Sequence, residues 1–177
     1  MPNVSDPSNV SRLERIADIQ EMRDALTRYC RGTDRCDLEL ATSAFWKDST
    51  ENHGPYVGTS HEFLAGVMPI LREQYQSLFR YITNFTVEIY GEKAESETYW
   101  VAMLRDATSD LIQAGRYVDR WERRNGEWKI AGRLAVIEWW RQDPRNLYPF
   151  PHNAEAITKF ARRGLEDTEV RATIGLK

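Results

Sequence analysis

Residues 111–140 read LIQAGRYVDRWERRNGEWKIAGRLAVIEWW. Asn125-Gly126 sits between two runs in which apolar and polar residues alternate. That arrangement signals a tight antiparallel hairpin, because Asn and Gly both tolerate the positive φ such a turn demands. It predicts one strand over Leu111 to Arg123 and another over Glu127 to Trp140. A period of two then assigns faces. Tyr117, Asp119 and Trp121 share one side of the first strand, and Arg116, Val118, Arg120 and Glu122 the other. On the second, Ala131, Arg133, Ala135 and Ile137 oppose Gly132, Leu134, Val136 and Glu138.

Working upstream, the same period begins after Tyr75. It predicts strands over Arg80 to Tyr90, ending at Gly91, and over Ala94 to Arg105. In the latter, Trp100, Ala102 and Leu104 oppose Tyr99, Val101 and Met103. Earlier still the period is helical. Leu13, Ile16, Ile19, Met22, Leu26 and Tyr29 form one stripe, with Ser11 and Glu14 as a capping box and Gly32 as the stop. Asp37 caps a second helix reaching Phe45. Asp48 to Gly58 has turn chemistry around at most a short strand. Ser60 opens a third helix to about Gln76, with Phe63, Val67, Ile70 and Leu71 inward. Three helices followed by an antiparallel meander make an α+β plan. Residues 1–10 read as a polar leader and 11–142 as the domain. Residues 143–177 read as a tail with a short helix from Ala154 to Arg163.

Composition narrows the partners. The 177 residues are 41% hydrophobic and 29% charged, with a net charge of −3. That is enough apolar chain for one core, and the charge gives no reason to expect nucleic acid. No run of about 18 uncharged apolar residues exists, so no spanning helix is expected. The polar start is no secretory signal. Cys30 and Cys36 read as free thiols of a reducing, cytoplasmic compartment. The three histidines, His53, His61 and His152, form no ligand cluster, so no metal is expected. Both faces of the sheet carry apolar residues and need two covers. Helices supply one, and a second copy of the chain is the simplest source of the other, giving a homotrimer or homodimer. Asp119 and Arg133 interrupt the inward pattern. They are either a structural pair or the charged floor of a pocket.

Several segments together resemble a known family. Tyr29-Cys-Arg-Gly-Thr-Asp34-Arg-Cys-Asp37 is similar to the Y-x4-D-x2-D signature of the SnoaL-like group within the nuclear transport factor 2-like (NTF2-like) superfamily. The likeness continues through His53-Gly-Pro-Tyr56-Val-Gly58, Thr83-Asn84 and Gly115 to Lys129, and covers about residues 12–142. The resemblance implies a cone-shaped α+β barrel, its curved, mainly antiparallel sheet wrapped around a deep apolar pocket. It also implies cofactor-free chemistry like that of scytalone dehydratase, hexachlorocyclohexane dehydrochlorinase or bile-acid 7α-dehydratase. Other members are isomerases, cyclases, a formaldehyde-releasing lyase of diaryl substrates, or non-catalytic modules, so the fold does not settle function. Asp34 matches the carboxylate that works beside a histidine in the family. Tyr29 matches a pocket position, and Arg133 matches an arginine lining the dehydrochlorinase pocket. The usual histidine, four residues before the Asn of Thr-Asn, is here Arg80.

The candidate catalytic residues are therefore Asp34, His53, Arg80 and Tyr29. A histidine side chain suits general-base work near neutral pH, so His53 can replace the lost base from a neighbouring loop. Arg80 and Arg133 suit a phenolate, carboxylate or enolate. Tyr29, Tyr56 and Tyr117 can donate hydrogen bonds, Trp100 can stack on an aromatic ring, and Asp119 lies on the pocket face. The expected activity is a cofactor-independent lyase for a hydroxylated aromatic or polycyclic molecule. A retro-aldol release of formaldehyde, an isomerisation or cyclisation, and a non-catalytic binding module are the alternatives.

Overall fold

In the computed structural model, which describes residues 7–145 and side chains from residue 11 onward, the elements run in chain order. They are α1 (Pro7–Arg35), α2 (Leu38–Thr42), β1 (Phe45–Asn52), β2 (Val57–Thr59), α3 (Ser60–Gln74), β3 (Ser77–Tyr90), β4 (Lys93–Arg105), β5 (Ser109–Arg124) and β6 (Glu127–Pro144). The six strands form one sheet in the order β2-β1-β6-β5-β4-β3. All neighbours are antiparallel except β1 and β6, which run parallel. The helices pack on one face of the curved sheet, giving the expected α+β architecture. Asn125 and Gly126 take φ of 55° and 82°, as the hairpin demands. Register irregularities in β3 and along β5–β6 bend the strands.

The face assignments hold. Tyr117, Asp119 and Trp121 on β5, and Trp100, Ala102 and Leu104 on β4, are buried against the helices. Met22, Leu26 and Tyr29 of α1 meet them, and Trp121 and Trp128 are sealed completely. The opposite face leaves Phe79, Tyr81, Tyr99, Met103, Val118 and Leu134 exposed.

Other expectations need correction. α1 begins at Pro7 and runs past Gly32, so Ser11 does not cap it and Gly32 does not end it. A side chain at Gly32 would collide with the Ala41 backbone, so the glycine lets α2 cross α1 closely. The reversal falls to Cys36, at φ 54°. Leu13 and Ile16 are each 54% exposed, and Ile70 also faces outward. Asp37 does cap α2, accepting from the Leu40 N–H at 3.0 Å, but the helix stops at Thr42. The stretch read as turn chemistry contains β1, eight residues long. Its buried positions include Ser49 and Glu51, which give no apolar alternation to read. β6 extends to Pro144, beyond the expected Trp140. The expected tail helix, Ala154 to Arg163, lies outside the described residues.

Candidate active site

Direct pairing of β5 with β6 sets Asp119 opposite Arg133. Arg133 Nε and Nη2 donate to the two Asp119 carboxylate oxygens at 2.7 Å each, and both side chains are fully buried. The guanidinium carbon lies 4.0 Å from the centre of the Tyr117 ring, 4.5 Å from Tyr29 and 5.1 Å from Phe45. An arginine stripped of water is tolerable here because a bidentate carboxylate and three aromatic faces replace the solvent. Burial works against the Arg133 charge. Asp119 outweighs it and holds the guanidinium protonated well above its ordinary range. Burial drives the Tyr117 hydroxyl well above the usual phenol range, so it remains a donor at neutral pH.

Tyr29 is the hub. It meets Phe45 and Tyr117 edge-on, at 5.6 and 5.7 Å between ring centres. Trp100 stacks on the far partner, Tyr117, at 5.5 Å. Arg80 reaches in from β3, its guanidinium carbon 5.6 Å from the Tyr29 ring centre. Arg80 Nη1 donates to Thr33 Oγ1. The Arg80 backbone N–H donates to Asp34 Oδ2 at 3.0 Å, so Asp34 ties the last turn of α1 to the strand that carries Arg80. Burial disfavours the Arg80 charge, but the surrounding acidic and phenolic groups keep its pKa above the ordinary value. Cys30, buried beside this cluster, has its thiol pushed up to about 11, chiefly by desolvation.

The cluster is rich in unpartnered donors. Arg133 Nη1, Arg80 Nε and Trp100 Nε1 are buried and have no hydrogen-bond partner among the described residues, nor does the Thr98 hydroxyl, which can donate or accept. Buried polar groups are normally satisfied, so this surplus marks a place for oxygen acceptors or water. The centre itself is not the open apolar pocket that was expected. Tyr29, Tyr117, Trp100 and Arg133 fill it and make it polar. A cleft of about 190 Å³ opens between α1 and β3, lined by Arg23, Leu26, Thr27, Ile82, Thr83 and Phe85. Ile82 pairs with Trp100 across the strands, so this cleft adjoins the cluster.

His53 and Tyr56 form a second group, around Phe63 of α3. The His53 ring stacks on Phe63 at 4.3 Å, and Tyr56 lies 5.3 Å from the same ring. The Tyr56 hydroxyl is taken by the Thr59 carbonyl at 3.0 Å. His53 Nδ1 lies 2.9 Å from Oε1 of Glu51. Glu51 in turn stands opposite Arg133 in the parallel β1–β6 register. Six of the nine candidate residues thus gather around Tyr29: Tyr29 itself, Arg80, Trp100, Tyr117, Asp119 and Arg133. Asp34 borders them, and His53 and Tyr56 stand apart. Phe45, Phe63 and Glu51 were not among the candidate site residues. Glu51 had no visible signal, because its strand reads as a turn.

No group of three or more potential ligands gathers among the described residues to hold a metal ion. No described helix is long and apolar enough to cross a membrane. Structural comparison finds a type 2 hexachlorocyclohexane dehydrochlorinase at 19% identity and a TM-score of 0.66, covering 82% of this chain and 99% of that one. A type 3 form from Novosphingobium barchaimii has 19% identity and a TM-score of 0.64, over 80% of this chain and 97% of that one. A provisionally named scytalone dehydratase from Novosphingobium aromaticivorans has 15% identity and a TM-score of 0.67, over 80% and 97%. At such identities the likeness is one of fold. No curated protein sequence matches significantly. The SnoaL-like domain profile matches residues 14–134, well over half of the chain. The helices packed on a curved six-stranded sheet, the ordered motifs and that match agree: the chain belongs to the SnoaL-like domain family, with an NTF2-like fold.

Proposed function

We propose that the protein is a cofactor-independent lyase acting on a hydroxylated aromatic or polycyclic small molecule by general acid–base catalysis. The observation that carries this reading is the surplus of buried donors around Tyr29 and Tyr117. Elimination places negative charge on an oxygen as the bond to the leaving group breaks. Fixed donors in a water-poor site stabilise that charge far better than water does. Arg80 and Arg133 supply permanent positive charge, Tyr29 and Tyr117 offer phenolic donors, and Trp100 offers a stacking face. Asp34 holds the Arg80 backbone in place. Arg80 cannot be the base, because a guanidinium does not lose its proton in the working pH range. That role falls to His53, a quarter exposed and able to meet a substrate.

The same donor surplus favours a second reading, a retro-aldol release of formaldehyde that leaves a phenolate or enolate. Product mass separates the two: loss of water for dehydration, loss of formaldehyde for the retro-aldol reaction, and an unchanged mass for isomerisation. The test is turnover of a panel of hydroxylated diaryl and polycyclic compounds. His53→Ala and Arg80→Ala are expected to lose turnover by about 10²-fold or more. Full activity in both variants refutes the site. Tight binding of the panel without conversion of any member makes the protein a ligand-binding module. We also propose that it works as a homotrimer or homodimer, with a second copy covering the exposed sheet face.

A further inference from the structure

We propose that Glu51 is the positioning residue of a Glu51–His53 proton-transfer dyad, which keeps the proton of neutral His53 on Nδ1 and leaves Nε2 bare to act as base. The base role rests on the lyase reading above; the geometry of the dyad does not.

Glu51 is only 2% exposed. A carboxylate so buried is costly unless something pairs with it. His53 Nδ1 lies within hydrogen-bond distance of it, at 2.9 Å. With Glu51 ionised, its oxygens only accept hydrogen bonds, and the Nδ1 facing it then carries the hydrogen. The other ring nitrogen of a neutral imidazole is then a lone-pair site. The ring is held in two further ways. It stacks on Phe63 with 22° between the planes, and its backbone N–H donates to the Tyr56 carbonyl at 2.9 Å. Position, orientation and tautomer are therefore all constrained.

The dyad also has an address. Glu51 faces Arg133 across the β1–β6 register, and its charge bears on both Arg133 and Asp119. One end of the pair thus lies against the buried donor cluster, while the imidazole is the more exposed end. When Nε2 takes a proton from a substrate carbon, the C–H electron pair forms the new double bond. The leaving oxygen departs with its own bonding pair. The imidazolium is stabilised by the carboxylate already on Nδ1–H and returns its proton to the departing hydroxide as water. Atoms and charge balance without a redox partner.

The first test is nitrogen NMR of the histidines in the wild-type protein, well above the ordinary histidine titration range. A single Nδ1–H tautomer for His53, turning into a mixture in Glu51→Gln, supports the proposal. The amide of that variant accepts or donates, so it no longer dictates the tautomer. An Nε2–H tautomer in the wild type, or an unchanged tautomer in Glu51→Gln, overturns it. The second test uses 5-nitrobenzisoxazole. A base removes its C3 proton, the N–O bond breaks, and a coloured cyanophenolate forms. His53→Ala and Glu51→Gln are each expected to lower kcat by about 10²–10⁴-fold, with KM changing far less. The control variant His61→Gln is expected to retain the rate. Wild-type protein that fails to catalyse this elimination, or Glu51→Gln at the full rate, overturns the dyad. A Glu51-dependent tautomer and rate, without conversion of any hydroxylated aromatic, supports the dyad and refutes the lyase reading alone.

Discussion

Arg133 keeps its charge although its side chain is fully buried, and its surroundings are arranged to make that possible. Two hydrogen bonds to Asp119 and three aromatic faces stand in for a hydration shell. Such a pair contributes little net stability, yet losing one partner strands the other. Asp119→Asn or Arg133→Met is therefore expected to cost about 3–5 kcal/mol in denaturant unfolding. The double variant Arg133→Met with Asp119→Leu should recover most of that loss, because no orphan charge remains. If the single variants unfold like the wild type, the pair is not the constraint described. This pairing was legible in the sequence, since strand parity put both residues on the buried face and charge did the rest. Glu51 was not legible. Its neighbours Asp48, Thr50 and Asn52 are polar because one face of β1 is exposed, and polar residues beside Gly54 and Pro55 read as a turn.

At the level of elements, the turn between β4 and β5 depends on a single carboxylate. Asp106 accepts from the backbone N–H groups of Thr108 and Ser109 and from both of their hydroxyls. The Ser109 hydroxyl first, then the backbone N–H groups, lower its pKa from 3.8 to about 2. A group depressed in the folded state lends stability above its unfolded pKa and loses it as pH falls through the folded one. Asp106→Asn should therefore lower Tm at pH 7, and the gap between variant and wild type should close between about pH 4 and pH 2. A gap of constant size across that range contradicts the assignment. The sheet elements were legible because Asn125-Gly126 and a strict period of two are local signals. The end of α1 was not. Gly32 looks like a stop, but what decides there is the close passage of α2, a tertiary fact.

For the whole molecule, the outer face of the sheet is the unfinished surface. Phe79, Tyr81, Tyr99 and Met103 stand exposed on neighbouring strands. Contiguous apolar exposure of this kind marks an association site. Multi-angle light scattering is expected to show a trimer or dimer, and Tyr81→Lys with Met103→Lys should shift it to monomer. A wild-type monomer at micromolar concentration contradicts the proposed second copy. The architecture was legible from the order of the helices and the four long strands, because each of these announces its own period, whereas β1 and β2 do not. The packed, polar centre was not, because it depends on which side chains meet across elements far apart in the chain.

The parallel pairing of β1 with β6 has a kinetic meaning. The β3–β6 meander assembles from neighbours joined by short turns, whereas β1 must find its place beside a strand formed much later in the chain. Closing so long a loop is slow relative to hairpin formation. That one contact sets Glu51 opposite Arg133. A chain that has folded its meander but not docked β1 therefore has a sheet and a buried ion pair, but no histidine in place. Competence for proton transfer therefore requires this long-range pairing, so the proposed catalytic signal would report a molecule in which β1 has docked.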